Sequence, residues 1–443
     1  MITARAFAGK HYAVYGLARS GIATIAALLA SGAKVTAWDG DPEKVEEIRS
    51  SRAQSRDSGT GVSTSLDTNG LEFADLDSAD LSQFDSLVVT PGLPLNRHPI
   101  AARARAAGVE IIGDIELFAR ARAELPPHKV VGITGTNGKS TTTALVHHIL
   151  QTAGVPSAMG GNIGLPILAQ EPLPKGGVYV LELSSYQMDL TQSLDCDVAV
   201  LLNITPDHLD RYASFEAYAA SKNRLLLMQS SEHKSVVNWP AFERGLINPE
   251  SAGFNGIIPL KCGGQLNWPE LQGPHNAENA DAARQACGWL GIISDAQIER
   301  GLRTYPGLPH RMERIREQNG VTFVNDSKAT NPTATAPALA AFDHIRWILG
   351  GQAKTDNLDE CAPSFGHVRA AYTIGEAGEL FASLLSPHMP VTKCETLENA
   401  VNRAAKDSQA GETVLLSPAC ASFDQFSDFE QRGDRFRELV EAL

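Results

Sequence analysis

The chain has 443 residues, of which 43% are hydrophobic and 20% charged, a composition that describes an ordinary globular protein of about two to four domains. No apolar run approaches the roughly 18 residues that cross a bilayer, and the N-terminus lacks a basic segment followed by an apolar one, so a cytoplasmic protein without membrane insertion is expected. A formal net charge of −13 opposes general affinity for nucleic acid but leaves room for a local basic pocket that takes phosphorylated small molecules.

In chain order, Tyr12 to Tyr15 reads as a strand, Gly16-Leu-Ala-Arg-Ser-Gly21 as a turn, Ile22 to Ala30 as a helix and Lys34 to Trp38 as a second strand ending at Asp39. The turn is a degenerate dinucleotide fingerprint, which keeps an NAD-dependent oxidoreductase as an alternative. Asp39 stands where such a fold places a ribose-binding acid, and equally where a strand end uses a turn former. The Ser-, Thr-, Gly- and Asp-rich stretch from Ser50 to Asp80 reads as a surface loop. Beyond it come a strand into a turn (Leu87 to Leu93), a helix (Ile100 to Ala107) and a strand (Val109 to Ile112). This alternation specifies a parallel sheet covered on both faces.

The most informative stretch is Val130-Val-Gly-Ile-Thr-Gly-Thr-Asn-Gly-Lys-Ser-Thr-Thr-Thr143. A short apolar strand enters a glycine-rich turn, and the helical period of Ala144 to Leu150 follows. Amides in such a loop and the positive end of the helix receive an anion; Lys139 would reach the phosphates and the Ser140 hydroxyl a magnesium ion. Five residues rather than four separate Gly132 from Gly138, so the general phosphate-loop pattern is missed by one residue.

Gly160-Gly-Asn-Ile-Gly164 then reads as a turn that displays Asn162, and Gly177 to Gln187 carries Glu182 inside an apolar strand. A carboxylate there is costly unless it is paired or bound to metal, which makes Glu182 a magnesium candidate. The buried strand Val198 to Leu202 ends in Asn203-Ile-Thr-Pro-Asp-His-Leu-Asp-Arg-Tyr212, where open α/β sheets place ligands. Ser214 caps the helix Phe215 to Leu226, on which Tyr218 and Lys222 share a face; from spacing alone Lys222 is an exposed lysine. Gly273 to Asn279 reads as a turn opening a helix from Ala280 to Leu290. Pro306 to Glu313 reads as a linker. Strands at Val321, Arg346 and Thr413, each with a polar or glycine-rich exit, define a further α/β domain with a ligand rim. The six cysteines are far apart and without a C-x-x-C pair, which reads as reduced packing residues rather than a disulfide framework or zinc site.

Seven motifs in order (Gly-Ile-Thr-Gly-Thr-Asn-Gly-Lys-Ser-Thr, Glu-Leu-Ser-Ser-Tyr-Gln, Asn-Ile-Thr-Pro-Asp-His-Leu-Asp-Arg-Tyr, His-Asn-Ala-Glu-Asn, Pro-His-Arg-Met-Glu, Asn-Asp-Ser-Lys-Ala-Thr-Asn and Ser-Pro-Ala-Cys-Ala-Ser-Phe-Asp-Gln-Phe) resemble those of the Mur ligase family. The last two resemble its D-glutamate-adding branch. The resemblance implies an α/β protein of three domains: a Rossmann-like UDP-binding domain over 1–94, a central P-loop ATPase domain with a mostly parallel sheet over 95–306, and a Rossmann-like amino-acid-binding domain over 307–443. It implies ATP-dependent addition of D-glutamate to UDP-MurNAc-L-Ala through an acyl phosphate, in peptidoglycan precursor synthesis, by a monomer.

Carried over residue by residue, ATP is held by Gly135, Thr136, Asn137, Gly138, Lys139, Ser140 and Thr141, with Asn276 and Asn279 near adenine and Arg311 and Asp326 from the linker and third domain. Ser140 and Glu182 take one Mg²⁺ ion, and His208 and Lys222 a second. Lys222 is carbamylated in the family, which replaces the exposed-lysine reading: a carbamate offers the oxygen that Mg²⁺ prefers. Lys139, His208 and Lys222 are the expected catalytic residues. Gly16, Ser20, Gly21, Asp39 and Gly92 match the UDP region and Asn162 lies near the sugar nucleotide, while Lys328, Thr330, Lys354, Ser422 and Phe429 match positions that hold D-glutamate.

Overall fold

The computed structural model describes residues 1–57, 70–208, 210–237, 245–247 and 267–443, without the side chains of 51–57. Two compact units are present, one of Met1–Leu260 with Ala282–Gly301, the other of Lys261–Asp281 with Leu302–Leu443. The first contains two five-stranded parallel sheets and the second a six-stranded one.

In the first sheet the strands are β1 (His11–Tyr15), β2 (Lys34–Trp38), β3 (Leu71–Phe73), β4 (Ser86–Val89) and β5 (Glu110–Ile112), in the order β3-β2-β1-β4-β5. Helices α1 (Arg19–Ala30), α2 (Pro42–Asp57), α3 (Pro99–Ala106) and α4 (Asp114–Ala121) accompany them. Successive side chains of a strand point to opposite faces, and here both faces are buried: Tyr12 and Val14 pack into one core cluster, Ala13 and Tyr15 into another. Two local expectations change. The loop expected from Ser50 to Asp80 is helical to Asp57 and carries strand β3 at Leu71–Phe73, while its stretch over 58–69 lies outside the described residues. The division expected at Pro94 falls between β4 and β5, which are paired in register Ser86↔Glu110 to Val88↔Ile112.

The second sheet comprises β6 (His128–Thr134), β7 (Ser157–Gly161), β8 (Gly177–Glu182), β9 (Val198–Leu201) and β10 (Lys234–Val237), in the order β10-β9-β6-β8-β7. Its helices are α5 (Lys139–Thr152), α6 (Ser185–Asp189) and α7 (Phe215–Leu227). The central β6 is flanked by β8 and β9, all parallel, so residues following Thr134, Glu182 and Leu201 emerge on one edge. That is the edge at which a change of strand order opens a crevice. Ser214 caps α7 as its sequence predicts, accepting from the Ala217 amide at 3.3 Å.

Helix α8 (Pro274–Leu290) begins at Pro274, so Asn276 and Asn279 stand in its first turns rather than in the expected turn before Ala280. Proline at a first helical position gives up an amide the helix does not need. After α9 (Asp295–Thr304), the second unit is built on β11 (Glu313–Gln318), β12 (Val321–Asn325), β13 (Ile345–Gly350), β14 (Val368–Ile374), β15 (Val391–Glu395) and β16 (Thr413–Leu416). Their order is β11-β12-β16-β13-β14-β15, parallel except for β11 against β12. Along β13, Trp347 and Leu349 enter one core and Ile348 the other. The covering helices are α10 (Pro332–Leu339), α11 (Gly378–Leu385), α12 (Leu397–Asp407) and α13 (Phe429–Glu441). Asn331 caps α10, with Pro332 at its first position. Among the described residues no helix is long and apolar enough to cross a membrane.

Candidate active site

The turn between β6 and α5 is shaped by its glycines. Gly135 and Gly138 have φ of +152° and +81°, and a Cβ on Gly132 would lie 2.7 Å from Cys196 Sγ, so the strand can be this close to its neighbour only without a side chain. Two ammonium groups converge on this turn. Lys139 Nζ donates to the carbonyls of Gly135 (3.0 Å) and Thr136 (2.8 Å), and Lys222 Nζ, from α7, donates to the same Gly135 carbonyl at 2.8 Å. Lys222 is only 1% exposed, which overturns the spacing-based reading of an exposed helix lysine. Burial, reinforced by the Lys139 charge, brings its pKa down to about 6. Its Nζ also stands 4.6 Å from the centre of the Tyr218 ring.

Glu182 ends β8 on the same edge and is 2% exposed. Its Oε1 accepts from Asn162 Nδ2 at 2.8 Å, while Oε2 is buried without a hydrogen-bond partner. A buried carboxylate oxygen left unpaired is costly, and a divalent cation removes that cost. Ser140, the second residue of α5, is likewise buried. Asn162, expected near the sugar nucleotide, thus orients the carboxylate by its side chain; its own amide also donates to the Glu182 carbonyl at 2.8 Å.

His208 takes the left-handed φ of 53°, uncommon for a side chain of its size. Its Nε2 lies 3.5 Å from Asp207 Oδ2, and its ring centre 5.0 Å from that of Tyr186. Burial, with the charges of Lys222 and Lys139, lowers its pKa, which favours the neutral imidazole that a metal requires. Among the described residues no three His, Cys, Asp or Glu side chains converge as a ready-made metal cage. A magnesium ion held by one or two carboxylates and completed by phosphate and water fits that donor set.

In the first sheet, the glycines of the β1–α1 turn answer to packing. A Cβ on Gly16 would meet Thr90 Oγ1 at 2.1 Å, and one on Gly21 the Gly16 carbonyl at 1.8 Å. Asp39 accepts from the amides of Leu17 (2.7 Å) and Asp41 (2.9 Å), so its carboxylate fastens the turn. Ser20 is half-buried on α1, and Gly92 is exposed after β4. The Gly92 carbonyl accepts from Arg211 at 3.3 Å, and Arg211 also reaches Leu93 O at 2.9 Å and stacks 4.2 Å from the Tyr186 ring. The His208 segment is thereby joined to the loop after β4.

In the second unit, Asp326 follows β12 and is buried, accepting from Met312 N (3.2 Å) and Ser417 Oγ (2.8 Å). Burial raises its pKa to about 7, against the opposing charge of Arg311. Lys328 Nζ lies 3.8 Å from the Phe429 ring centre, and the Thr330 amide donates to the Lys328 carbonyl. Buried Arg432 ties Ser327 to the carbonyls of Cys420 and Ala421, which brings the loop after β12 beside the loop that carries buried Ser422. Lys354 is exposed after β13, close enough for its charge to act on Cys420. In α8, Asn279 Nδ2 donates to Asn276 Oδ1 at 3.2 Å and Asn276 Nδ2 to the Gln272 carbonyl at 3.1 Å. The structure thus brings Lys139, Ser140, Glu182, His208 and Lys222 to one edge of the second sheet. Sequence reasoning passed over Asn203, whose only signal was a polar residue directly after a buried strand.

Residues 133–251 match the Mur ligase middle domain, and residues 310–420 the Mur ligase glutamate ligase domain. The chain is 59% identical to the UDP-N-acetylmuramoylalanine--D-glutamate ligase of Novosphingobium aromaticivorans, over 100% of this chain and 97% of the relative. It is 54% identical to the protein of that name from Zymomonas mobilis, over 100% of each. Among solved structures it resembles the UDP-N-acetylmuramate-alanine ligase of Thermotoga maritima (TM-score 0.55, 16% identity, 98% of this chain and 99% of the other). It also resembles the MurF ligase of Thermotoga maritima solved with ADP (TM-score 0.55, 16% identity, 83% and 99%). At that identity these two structures speak for the fold alone.

Proposed function

The chain belongs to the Mur ligase family, and from that premise we propose how its residues perform the D-glutamate-adding reaction of the relatives it matches. It is an ATP-dependent ligase that joins D-glutamate to UDP-N-acetylmuramoyl-L-alanine in peptidoglycan precursor synthesis. A carboxylate does not acylate an amine unaided, because its oxygen is a poor leaving group. The substrate carboxylate attacks the γ-phosphorus of ATP, the bond to the β-phosphate oxygen breaks, and ADP leaves an acyl phosphate. The amine of D-glutamate then attacks the acyl carbon, phosphate departs and the nitrogen loses a proton.

The observation that carries the reading is the buried, unpaired Oε2 of Glu182 on the same strand edge as the turn that Lys139 and Lys222 share. Lys139 would offset charge on the phosphates, and the start of α5 would add the positive end of a helix. Ser140 and Glu182 would hold one Mg²⁺ ion, and His208 with a carbamylated Lys222 the other. Bound there, Mg²⁺ supplies electrostatic stabilisation of the phosphoryl charge. Burial of Lys222 beside Lys139 supports the carbamate, because it disfavours an ammonium and rewards an anionic form paired with Lys139.

Gly16, Ser20, Gly21, Asp39, Gly92 and Asn162 would receive the sugar nucleotide, and Asn276, Asn279, Arg311 and Asp326 would complete ATP. Lys328, Thr330, Lys354, Ser422 and Phe429 would hold D-glutamate, for which the Lys328–Phe429 contact and the Arg432 bridge give support. On this reading the three sheets, the first extending past Pro94 to include β5, follow the three substrates, and the enzyme works as a cytoplasmic monomer. The free, buried thiols of Cys196, Cys287, Cys361, Cys394 and Cys420 support a reducing compartment.

Phosphate release from ATP, measured with UDP-MurNAc-L-Ala and a panel of amino acids, tests the assignment. Release that needs D-glutamate is expected. Release at an undiminished rate with another amino acid in its place, or with none, would overturn it.

A further inference from the structure

Among the described residues, the segment that follows β9 touches the phosphate turn through the side chain of Asn203. Asn203 Oδ1 accepts from the Asn137 amide at 2.8 Å, and Asn203 Nδ2 donates to the Asn137 carbonyl at 3.1 Å, so both ends of one peptide unit's neighbourhood are held by one carboxamide. The Asn203 carbonyl accepts from the Thr136 amide at 2.9 Å. Beside this clasp, Thr136 Oγ1 accepts from the Thr205 amide at 3.1 Å and lies 3.0 Å from Tyr218 OH.

We propose that Asn203 is a positioning residue for ATP, acting through the main chain of Thr136 and Asn137 to set the phosphate turn and to fix its distance from the His208 segment. Two consequences follow from the geometry. The amides of Thr136 and Asn137 are already given to Asn203, so the anion is received further on, by the turn from Gly138 into α5, where the aligned amides of a helix start point. His208 stands only five positions after Asn203 in sequence, so a shift of the phosphate turn is transmitted to the metal-ligand candidate. Asn203 therefore couples phosphate placement to the position of His208, and its contribution appears in ATP handling and in the chemical step, not in recognition of the other two substrates. The inference rests on the ligase reading above.

The experiment compares the full-length wild type with Asn203→Ala in steady-state phosphate release, varying ATP, UDP-MurNAc-L-Ala and D-glutamate in turn, alongside thermal melting. Loss of two hydrogen bonds predicts a KM for ATP raised by about fivefold or more. Misplacement of the turn predicts a kcat lower by about 10- to 100-fold. The KM values of the other two substrates should stay within about twofold, and Tm within about 3 °C of wild type. A variant whose three KM values all move alike, whose kcat falls only with the folded fraction, or whose parameters equal those of wild type overturns the proposal. Asn203→Ser, which keeps an acceptor for the Asn137 amide, should fall between the two and serves if the alanine variant does not fold. A wild type that releases no phosphate with these substrates would instead remove the ligase reading itself.

Discussion

Asp326 and Glu182 are both buried carboxylates, yet they call for opposite partners. Asp326 has two donors and a pKa pushed up to about 7 by burial. Its folded-state pKa lies above the unfolded value near 3.8, so its stabilising contribution is complete below that value and is lost as pH rises to about 7. Asp326→Asn is therefore expected to raise Tm at pH 8 relative to wild type and to leave it nearly unchanged at pH 4, read by melting at both pH values; the reverse order would contradict the burial argument. Glu182 has one oxygen with no partner, and Glu182→Gln removes the charge a cation would balance. Activity should fall by about 100-fold or more, with the Mg²⁺ requirement shifted to higher concentration, and unchanged Mg²⁺ titration would exclude it as a ligand. At this scale sequence alone misleads in both directions. Lys222 looked like a surface lysine because helical spacing carries no information about what packs on the helix, whereas it is buried and its amino group meets the carbonyl of Gly135, distant in the chain. Glu182, by contrast, was legible because a carboxylate inside an apolar strand is already a contradiction in the residues themselves.

Strand-turn-helix units were read well where the turn chemistry is local. The glycine-rich turn and the Ser214 cap each follow from a preference that needs no tertiary partner. The start of α8 was misplaced because Gly273, Pro274 and the two asparagines all favour turns, although proline at a helix start and an amide pair four and seven residues after Gln272 also suit a first turn. Ser50 to Asp57 were read as loop because this polar C-terminal half of α2 offers no hydrophobic period. Two changes test the turns as built. Gly21→Ala would drive a methyl against the Gly16 carbonyl and should destabilise the protein by about 1–3 kcal/mol in denaturant unfolding. Ser214→Ala should cost about 1 kcal/mol through the lost cap on the helix that carries Lys222. A Gly21→Ala variant as stable as wild type would mean the turn is more open than described.

The candidate site residues of each sheet follow the carboxyl ends of parallel strands, a rule that follows from strand direction and so could be anticipated from the alternation of elements. What could not be anticipated was how the sheets share the chain: β5 joins the first sheet beyond Pro94, because pairing between distant strands leaves no mark on the intervening residues. A ligand that binds only the folded protein stabilises it by mass action, about 2.7 kcal/mol at a hundredfold excess over Kd. Mg²⁺ with ATP should therefore raise Tm, chelation with EDTA should cancel the rise, and Lys139→Ala should show none.

The central claim is that Lys139, Glu182, His208 and Lys222 serve one phosphoryl-transfer site. Its most direct test is capture of the acyl phosphate as a hydroxamate, with hydroxylamine added to enzyme, Mg²⁺, ATP and UDP-MurNAc-L-Ala in the absence of D-glutamate. Wild type is predicted to yield ATP-dependent hydroxamate, and Lys139→Ala, Glu182→Gln, His208→Ala and Lys222→Ala to yield little or none while remaining folded. Hydroxamate at the wild-type level from any of the four folded variants would contradict the claim.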